Sequence, residues 1–196
     1  MFTQLINRAL DQFDCSPWGG AAGRGVVHSR VQDCTLYTPE ERMRRDASPW
    51  TIVQGVLAPA QFLVFLVSLC LVTRYLQTGA GEGAATASVV AKTLFLYAIM
   101  ITGSIWEREV FGRYLFAPAF YWEDVVSMLV LALHTTYLVG LLSGQIDARH
   151  LAWLALVAYA SYVINAAQFI IKLRAARLQS ARLQSAGYAA GLGVSA

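Results

Sequence analysis

Charged and aromatic side chains crowd residues 106–124, between two apolar segments that approach the length needed to cross a membrane. The group comprises Trp106, Glu107, Arg108, Glu109, Arg113, Tyr121, Trp122, Glu123 and Asp124. Carboxylates at the rim of a membrane are costly unless they are paired, hydrated or used for function. A simple membrane anchor has no need for them, so we predict that this hairpin carries the chemistry of the protein.

Glu123 and Asp124 are neighbours at the start of the third apolar segment. Two adjacent carboxylates in a poorly hydrated place repel each other, so one tends to donate a proton while the other accepts one. General acid–base catalysis uses such a pair. The alternative is that both are solvated and favourably placed near a helix N-terminus. Helical spacing puts Glu123 on one face with Ser127 and His134, which favours a functional role for Glu123 and leaves Asp124 open.

His134 is the only histidine inside an apolar segment. It follows Glu123 by eleven residues, about 16 Å along a helix and only ~20° around it. A small molecule could not touch both side chains, but a large flat ligand could. His134 could ligate a metal, relay a proton, or hydrogen-bond Asn165 or Gln168 across a bundle. A transmembrane haem normally takes two axial ligands, which disfavours a protein like cytochrome b.

The other hairpin residues each have two interpretations. Arg108 and Arg113 either pair with the neighbouring glutamates or capture a ligand carboxylate. The aromatic residues form either a membrane-interface belt or one wall for a flat aromatic substrate, and they include Trp106, Tyr121 and Trp122. Beyond the hairpin, Arg74 and Lys92 are predicted to extend to the opposite membrane surface.

Four apolar segments position these residues: 52–76, 89–106, 125–142 and 151–171. Hydrophobic residues make up 57% of the 196-residue chain and charged residues 14%, against roughly 25% charged residues in an ordinary soluble domain. Each segment approaches or exceeds the ~20 apolar residues that cross a bilayer. None has the wide polar face of a helix in a soluble bundle. The sequence predicts an all-α polytopic membrane protein with four transmembrane helices.

Basic residues set the expected orientation. Nine flank one side of the spans, namely Arg42, Arg44, Arg45, Arg108, Arg113, Lys172, Arg174, Arg177 and Arg182. The other side has Arg74, Lys92 and Arg149. Because cytoplasmic loops carry the excess of Lys and Arg, both termini and the hairpin are predicted to be cytoplasmic. This flanking explains the net charge of +3, so the expected partner is the lipid bilayer and not a nucleic acid.

Polar residues recur on one face of each span and predict a bundle with a partly polar interior. They are Gln54, Gln61 and Ser68 in the first span, Thr93, Tyr97, Ser104 and Glu107 in the second, Glu123, Ser127 and His134 in the third, and Ser161, Asn165, Gln168 and Lys172 in the fourth. For the amides and hydroxyls, hydrogen bonds between helices are the simpler explanation. For the carboxylates, function is favoured.

The membrane part is predicted to occupy residues 36–175, between an N-terminal extension (1–35) and a flexible C-terminal tail (176–196). Apolar residues at helical spacing within 1–13 favour a short helix on the membrane surface, and a disordered tail is an equal alternative. Cys15, Cys34 and Cys70 form no CxxC pair, so neither a disulfide framework nor a metal site is predicted from them.

Three runs of the sequence resemble the 3-vinyl bacteriochlorophyllide hydratase family: LYTPEERMRRDASPWTIVQGVLAPAQFLVFLVSL from Leu36, WEREVFGRYLFAPAFYWEDVVSMLVLALHTTYL from Trp106, and YVINAAQFIIKLRAARLQ from Tyr162. The resemblance covers about residues 36–179. It implies an enzyme of bacteriochlorophyll synthesis in the cytoplasmic or intracytoplasmic membrane of a phototrophic bacterium. The implied reaction adds water to the 3-vinyl group of chlorophyllide a, or of its bacteriochlorophyllide relative, and gives a 3-(1-hydroxyethyl) group. Other enzymes of pigment synthesis are candidate partners.

The hairpin residues suit this reaction. Protonation of the terminal vinyl carbon leaves a cation delocalised into the macrocycle, and water then adds to the inner carbon. We assign Glu123 as the proton donor and Asp124 as the base that orients water, with Glu107 as a substitute for either. His134 is the candidate axial ligand of the substrate's magnesium, and Arg108 or Arg113 would hold the free propionate. No redox cofactor or protein-bound metal is required.

Two functions of another class stay open. A non-enzymatic pigment-binding or photosystem assembly protein would use the same histidine and aromatic wall but would tolerate loss of the carboxylates. A small transporter or proton relay needs ionisable groups throughout the membrane depth. It is the least favoured, because the ionisable groups crowd one rim and the two halves show no inverted repeat.

Overall fold

The structure, a computed structural model, describes residues 37–192, with side chains for residues 37–174 and 177. These residues form five α-helices and no strand: α1 (Pro39–Ala47), α2 (Pro49–Thr78), α3 (Glu82–Phe111), α4 (Tyr121–Ser143) and α5 (Ala148–Leu192). The extension predicted for residues 1–35 lies outside the described residues.

Four of the helices are long and apolar enough to cross a membrane: α2, α3, α4 and the Ala148–Arg174 part of α5. Only 22–28% of the most apolar stretch of each is buried inside the protein. Most of the apolar surface therefore faces outward, which suits hydrocarbon and not water. This confirms the predicted all-α polytopic membrane protein with four transmembrane helices. The helices extend beyond the predicted segments at both ends, by as little as one residue at the end of α4 and as much as seven at the start of α3, and α5 continues to Leu192.

Glycines end three of the four membrane helices. Gly79, Gly112 and Gly144 follow α2, α3 and α4 with left-handed backbone conformations (φ 72°, 78° and 62°). The amide of each donates a hydrogen bond back into its helix, to Tyr75, Arg108 and Leu141 respectively. The connections before α3 and α5 are short, so residues 112–120 form the longest connection between membrane helices.

Contacts divide the chain into two compact units. Pro39–Phe169 forms one, and it contains every candidate site residue. The described residues of the other are Tyr37, Thr38 and the helical residues from Ile170 onward. The backbone is helical through Leu192, and the boundaries predicted at residues 36 and 175 stay predictions.

An apolar cluster fills the half of the bundle away from the hairpin. It draws residues from α2 to α5: Phe65, Val72, Ala85, Val89, Tyr137, Leu151, Ala152, Ala155 and Tyr159. Gly140 lets α4 approach the start of α5, because a Cβ there would lie 2.8 Å from Ile146 Cδ1 and 3.0 Å from Leu151 Cδ2. The apolar half therefore fixes the helix ends opposite the hairpin.

Hydrogen bonds between helices account for much of the polar interior. Gln54 Nε2 donates to Thr102 Oγ1 (2.7 Å), and the Tyr97 and Thr135 hydroxyls lie 2.7 Å apart. Asn165 Nδ2 donates to Ser127 Oγ, also at 2.7 Å. Hydrogen bonding between helices, the role expected for these polar residues, is thus confirmed for Gln54, Tyr97 and Asn165. By contrast, the hydroxyls of Ser104 and Ser161 bond carbonyls of their own helices.

Ser68 offers a test of this polar packing. Its hydroxyl is completely buried, 2.5 Å from the Tyr159 hydroxyl and 2.7 Å from that of Ser88. We expect Ser68→Ala to lower the free energy of unfolding by about 0.5–2 kcal/mol, because it removes the hydrogen-bond partner of the buried Tyr159 hydroxyl. Ser68→Ala combined with Tyr159→Phe should cost less than the sum of the two single changes.

Unfolding in mixed detergent micelles would measure these values. Ser161→Ala is the matched control, since that hydroxyl bonds only the Ala158 carbonyl of its own helix. Strict additivity of the two changes would show that the Ser68–Tyr159 contact does not stabilise the bundle.

Candidate functional site

Two carboxylates hold the hairpin between α3 and α4. Asp124 Oδ2, in the first turn of α4, accepts a hydrogen bond from the Phe116 amide at 2.7 Å. Glu107 Oε2, near the end of α3, accepts one from the Ala117 amide at 3.4 Å. Because these amides are adjacent in the chain, the two carboxylates meet at one point of the hairpin. Both side chains are buried.

The backbone conformation of Phe116 explains why the hairpin needs these hydrogen bonds. Its φ is +58°, a left-handed backbone conformation that costs a residue with a side chain roughly 1–2 kcal/mol. The hydrogen bond that Asp124 accepts from the Phe116 amide stabilises this conformation. Asp124 therefore has a structural task in the hairpin whether or not it also takes part in chemistry.

Glu123 is the most deeply buried of the three carboxylates, at 1% exposure. It lies on the inner face of α4 with Ser127 and His134, which are also buried. Asn165 of α5 donates hydrogen bonds to the Glu123 backbone carbonyl (3.2 Å) and to Ser127 Oγ. The last membrane helix thus fixes the turn that carries Glu123. Glu107, Glu123 and Asp124 come together at one end of the bundle, as the sequence predicted for the hairpin.

The aromatic residues divide into an inner and an outer group. Trp106, Phe111 and Phe120 form the inner aromatic cluster, with ring centroids 5.8–5.9 Å apart. Trp106 Nε1 also donates to Thr51 Oγ1 at 2.9 Å, which ties α3 to α2. Tyr121 and Trp122 contact each other edge to face and are 46% and 40% exposed. A single aromatic wall containing Trp106, Tyr121 and Trp122 is therefore not what the structure shows.

The two arginines lie on the exposed surface of the hairpin. Arg108 donates a hydrogen bond to the Tyr114 hydroxyl and lies 4.6 Å from the centroid of that ring. Glu109 accepts a hydrogen bond from the Ser48 hydroxyl, and the ion pairs of the described residues include none between Arg108 and Glu109. Both arginines are exposed, whereas Glu107, Glu123 and Asp124 are buried.

His134 is completely buried in the middle of α4. Its Nδ1 lies 2.8 Å from the Val130 carbonyl, which can only accept a hydrogen bond. In the neutral ring Nδ1 therefore carries the proton and Nε2 carries the lone pair. Nε2 has no hydrogen-bond partner in the part of the chain that the structure describes. The expected bonds from His134 to Asn165 or Gln168 are not formed, and the ring is fixed by a backbone carbonyl of its own helix.

Lys92 is a residue that the sequence analysis misplaced. It is completely buried, and its Nζ lies 3.6 Å from the centroid of the Tyr162 ring. The prediction that it extends to the membrane surface is wrong because α3 begins at Glu82 and not at residue 89, which leaves Lys92 nearly three turns inside the helix. Its position beside Thr93, on the polar face of the span, was the signal that could have revealed it. Arg74 is exposed near the end of α2, as predicted.

Comparison with known proteins identifies the family. A family model described as 2-vinyl bacteriochlorophyllide hydratase (BCHF) matches residues 37–175. The chain belongs to this family. The 2-vinyl bacteriochlorophyllide hydratase of Rhodobacter capsulatus is 64% identical over 146 residues, which cover 74% of this chain and 85% of that protein. The hydratase of the same name from Cereibacter sphaeroides is 63% identical over 143 residues, covering 73% of this chain and 89% of that protein. No solved structure matches the chain.

The family assignment confirms the resemblance found in the sequence. The matched residues include the four membrane helices and all of the candidate site residues. The individual roles of those residues stay predictions.

The structural task of Asp124 can be separated from its charge. Asp124→Asn keeps an oxygen that can accept the Phe116 amide, whereas Asp124→Ala removes it. We expect Asp124→Ala to lower the free energy of unfolding by about 1–3 kcal/mol and Asp124→Asn to change it much less. Thermal or detergent unfolding of the purified protein would compare the two variants. Equal stability of wild type and Asp124→Ala would show that the hairpin does not depend on this bond.

Proposed function

We propose that this chain hydrates the vinyl group of a chlorophyllide-type tetrapyrrole in bacteriochlorophyll biosynthesis, as a hydro-lyase. Its relatives are named for hydration of 2-vinyl bacteriochlorophyllide, and 63–64% identity over most of their length supports the same activity here. The carbon numbered 2 in older tetrapyrrole nomenclature is numbered 3 in current use. The proposed reaction thus converts the 3-vinyl group of chlorophyllide a, or of 3-vinyl bacteriochlorophyllide a, into a 3-(1-hydroxyethyl) group.

One structural observation carries the chemical part of the proposal. Glu107, Glu123 and Asp124 are all buried at the same end of the bundle. Two residues of the inner aromatic cluster adjoin these carboxylates in the chain. Trp106 directly precedes Glu107, and Phe120 directly precedes the helix that carries Glu123 and Asp124. Buried carboxylates beside apolar rings provide both a proton donor and negative charge close to a flat apolar substrate.

The addition of water proceeds in two steps in this scheme. Glu123 gives its proton to the terminal vinyl carbon, and the positive charge left on the inner carbon spreads into the macrocycle. Water held by Asp124 then forms a bond to that inner carbon and loses a proton to the carboxylate. Asp124 then holds one proton and Glu123 lacks one, and transfer of that proton back to Glu123 restores both groups, so the net change is the addition of one water molecule. The neighbouring carboxylates stabilise the cation between the steps.

The hairpin contacts limit how Asp124 and Glu107 can act. Each uses a carboxylate oxygen to accept an amide N–H of the hairpin. The other carboxylate oxygen of Asp124, Oδ1, is the atom that would orient water. The corresponding oxygen of Glu107, Oε1, would replace it in that role. Because the first oxygen is held by the backbone, the second is positioned without the mobility of an exposed side chain.

His134 is proposed to ligate the magnesium that the substrate carries. The proton on Nδ1 leaves Nε2 as the ligating atom, and the Val130 carbonyl fixes the ring. His134 and Glu123 are about 16 Å apart along α4. A tetrapyrrole could bridge this distance because both side chains also extend toward it. The magnesium would then lie at mid-depth, with the vinyl group directed toward the hairpin. We propose no redox cofactor and no metal bound by the protein itself.

The surface of the hairpin is the proposed site for the free propionate. Arg108 and Arg113 are exposed there and can meet a carboxylate at the membrane surface. We propose that this surface and both termini face the cytoplasm, from the cytoplasmic or intracytoplasmic membrane of a bacterium. With Lys92 inside the bundle, only Arg74 and Arg149 of the basic residues counted from the sequence remain on the opposite side, which supports that orientation. Contacts with other enzymes of pigment synthesis are part of the proposal.

A product assay tests the function directly. Membranes that contain this protein alone would be incubated with chlorophyllide a and the pigment analysed by chromatography and mass spectrometry. We expect a product heavier by one water, with the absorption shift of a lost vinyl conjugation. Unchanged pigment that co-purifies with the protein would instead favour the non-enzymatic pigment-binding or assembly protein.

Glu123→Gln tests the proposed proton donor. The amide cannot supply the proton but has nearly the same size, so we expect hydration to fall by about 10²–10⁴-fold while chlorophyllide a still binds. Glu109→Gln is the matched control, because Glu109 is also a hairpin glutamate but is exposed and contacts Ser48. Hydration at the wild-type rate in Glu123→Gln would remove Glu123 from the mechanism.

His134→Leu tests the magnesium ligand. We expect its affinity for chlorophyllide a to fall by at least about tenfold, the scale on which single contacts affect metal binding. Its affinity for pheophorbide a, the same macrocycle without magnesium, should change little. Both affinities can be measured by absorption titration of the purified protein. An equal loss for the two pigments would show that His134 acts through packing and not through magnesium.

A further inference from the structure

Four buried side-chain polar atoms have no hydrogen-bond partner in the part of the chain that the structure describes: Gln61 Oε1, Lys92 Nζ, His134 Nε2 and Gln168 Oε1. Lys92 on α3 and His134 on α4 are the ionisable residues among them. Both side chains are completely buried. His134 Nε2 has a place in the function proposed above, but Lys92 does not.

Tyr159 and Tyr162 of α5 lie beside His134 and Lys92 respectively. The His134 ring centroid lies 5.9 Å from that of Tyr159, and Lys92 Nζ lies 3.6 Å from the Tyr162 ring. The tyrosines are three residues apart, and both rings contact the ring of Phe65. The distance between ring centroids is 5.4 Å for Tyr159 and 5.0 Å for Tyr162. Side chains from α2, α3, α4 and α5 therefore meet around these two tyrosines.

An isolated ammonium group is costly in this position. It has three N–H donors, and a ring face replaces only part of the hydration that it loses. No carboxylate in the described part of the chain forms an ion pair with it. Ionisable groups at such depth in a membrane protein usually mark a functional site.

The two atoms together define the chemistry of a ligand. His134 Nε2 offers a lone pair, which suits a bound metal, and Lys92 Nζ offers hydrogen-bond donors, which suit an oxygen acceptor. A hydrocarbon chain of a lipid satisfies neither group. A flat magnesium chelate with carbonyl groups on its edge satisfies both.

We propose that Lys92 is a substrate-binding residue whose Nζ donates a hydrogen bond to a peripheral oxygen of the tetrapyrrole, inside the membrane. This inference rests on the proposed function and deepens it. In chlorophyllide a, the ring ketone lies across the macrocycle from the 3-vinyl group. With the vinyl group at the hairpin carboxylates and the magnesium at His134, the ketone is the oxygen directed toward Lys92. The propionate carboxylate has the same acceptor chemistry and is distinguished from the ketone by experiment.

Titration with chlorophyllide a tests this proposal. The full-length protein in detergent would be compared with Lys92→Met, which keeps the length of the side chain but removes its donors. We expect Lys92→Met to bind chlorophyllide a at least about tenfold more weakly. Arg74→Met is the matched control, because Arg74 is an exposed basic residue near the end of α2, and its affinity should equal that of the wild type.

Two pigment analogues identify the oxygen. If the ketone is the acceptor, an analogue with that ketone reduced to a methylene group should bind wild type and Lys92→Met equally. The propionate methyl ester should keep the difference between the two proteins. The reverse pattern would assign the propionate to Lys92, which would overturn its proposed placement at Arg108 and Arg113 but would still support the binding role of Lys92.

Stability without pigment separates binding from a structural role. Because Lys92→Met removes a buried polar group that has no hydrogen-bond partner, we expect its melting temperature without pigment to equal or exceed that of the wild type. Chlorophyllide a should raise the melting temperature of the wild type more than that of the variant. Wild-type affinity in Lys92→Met would overturn the proposal, as would weaker binding accompanied by a lower melting temperature without pigment. Failure of the wild type itself to bind chlorophyllide a would overturn the proposed function as well, so the two failures are distinguishable.

Discussion

A chain that turns back at the rim of a bilayer must satisfy its backbone amides where water is scarce, and this constraint shapes the candidate site. The hairpin between α3 and α4 satisfies two of them with the carboxylates of Asp124 and Glu107. Those carboxylates have to be buried in order to reach the Phe116 and Ala117 amides. Folding of the hairpin thus brings acidic groups beside apolar rings, which is also the environment that hydration of a vinyl group requires.

The membrane helices could be predicted from sequence because hydropathy alone decides where they lie. The inner face shared by Glu123, Ser127 and His134 followed from helical spacing, and all three are buried. The ends of the helices were harder to place. Taking α3 to begin at residue 89 put Lys92 near the membrane surface, whereas the helix begins at Glu82 and holds this residue inside the bundle.

The details of the site could not be predicted because they depend on contacts across the fold. Nothing local shows that Asp124 reaches back to Phe116, or that Phe116 adopts a left-handed conformation. Likewise, the division of the aromatic residues follows from Trp106 bonding Thr51 of α2 while Tyr121 and Trp122 turn outward. The types of the hairpin residues predicted the kind of chemistry. The packing of four helices decides which of these residues lie close enough together to take part in it.

The bonds from Asn165 to the Glu123 carbonyl and to Ser127 have a consequence for biogenesis. Asn165 lies on the last membrane helix, so the turn that carries Glu123 stays incompletely supported until that helix has entered the bilayer. A ribosome-bound intermediate with only three inserted helices would expose the polar faces of α3 and α4 to lipid or to the insertion machinery. The order of synthesis therefore leaves the turn that carries Glu123 without its hydrogen bonds from Asn165 until the last membrane helix is in place. A product truncated before that helix would lack these bonds.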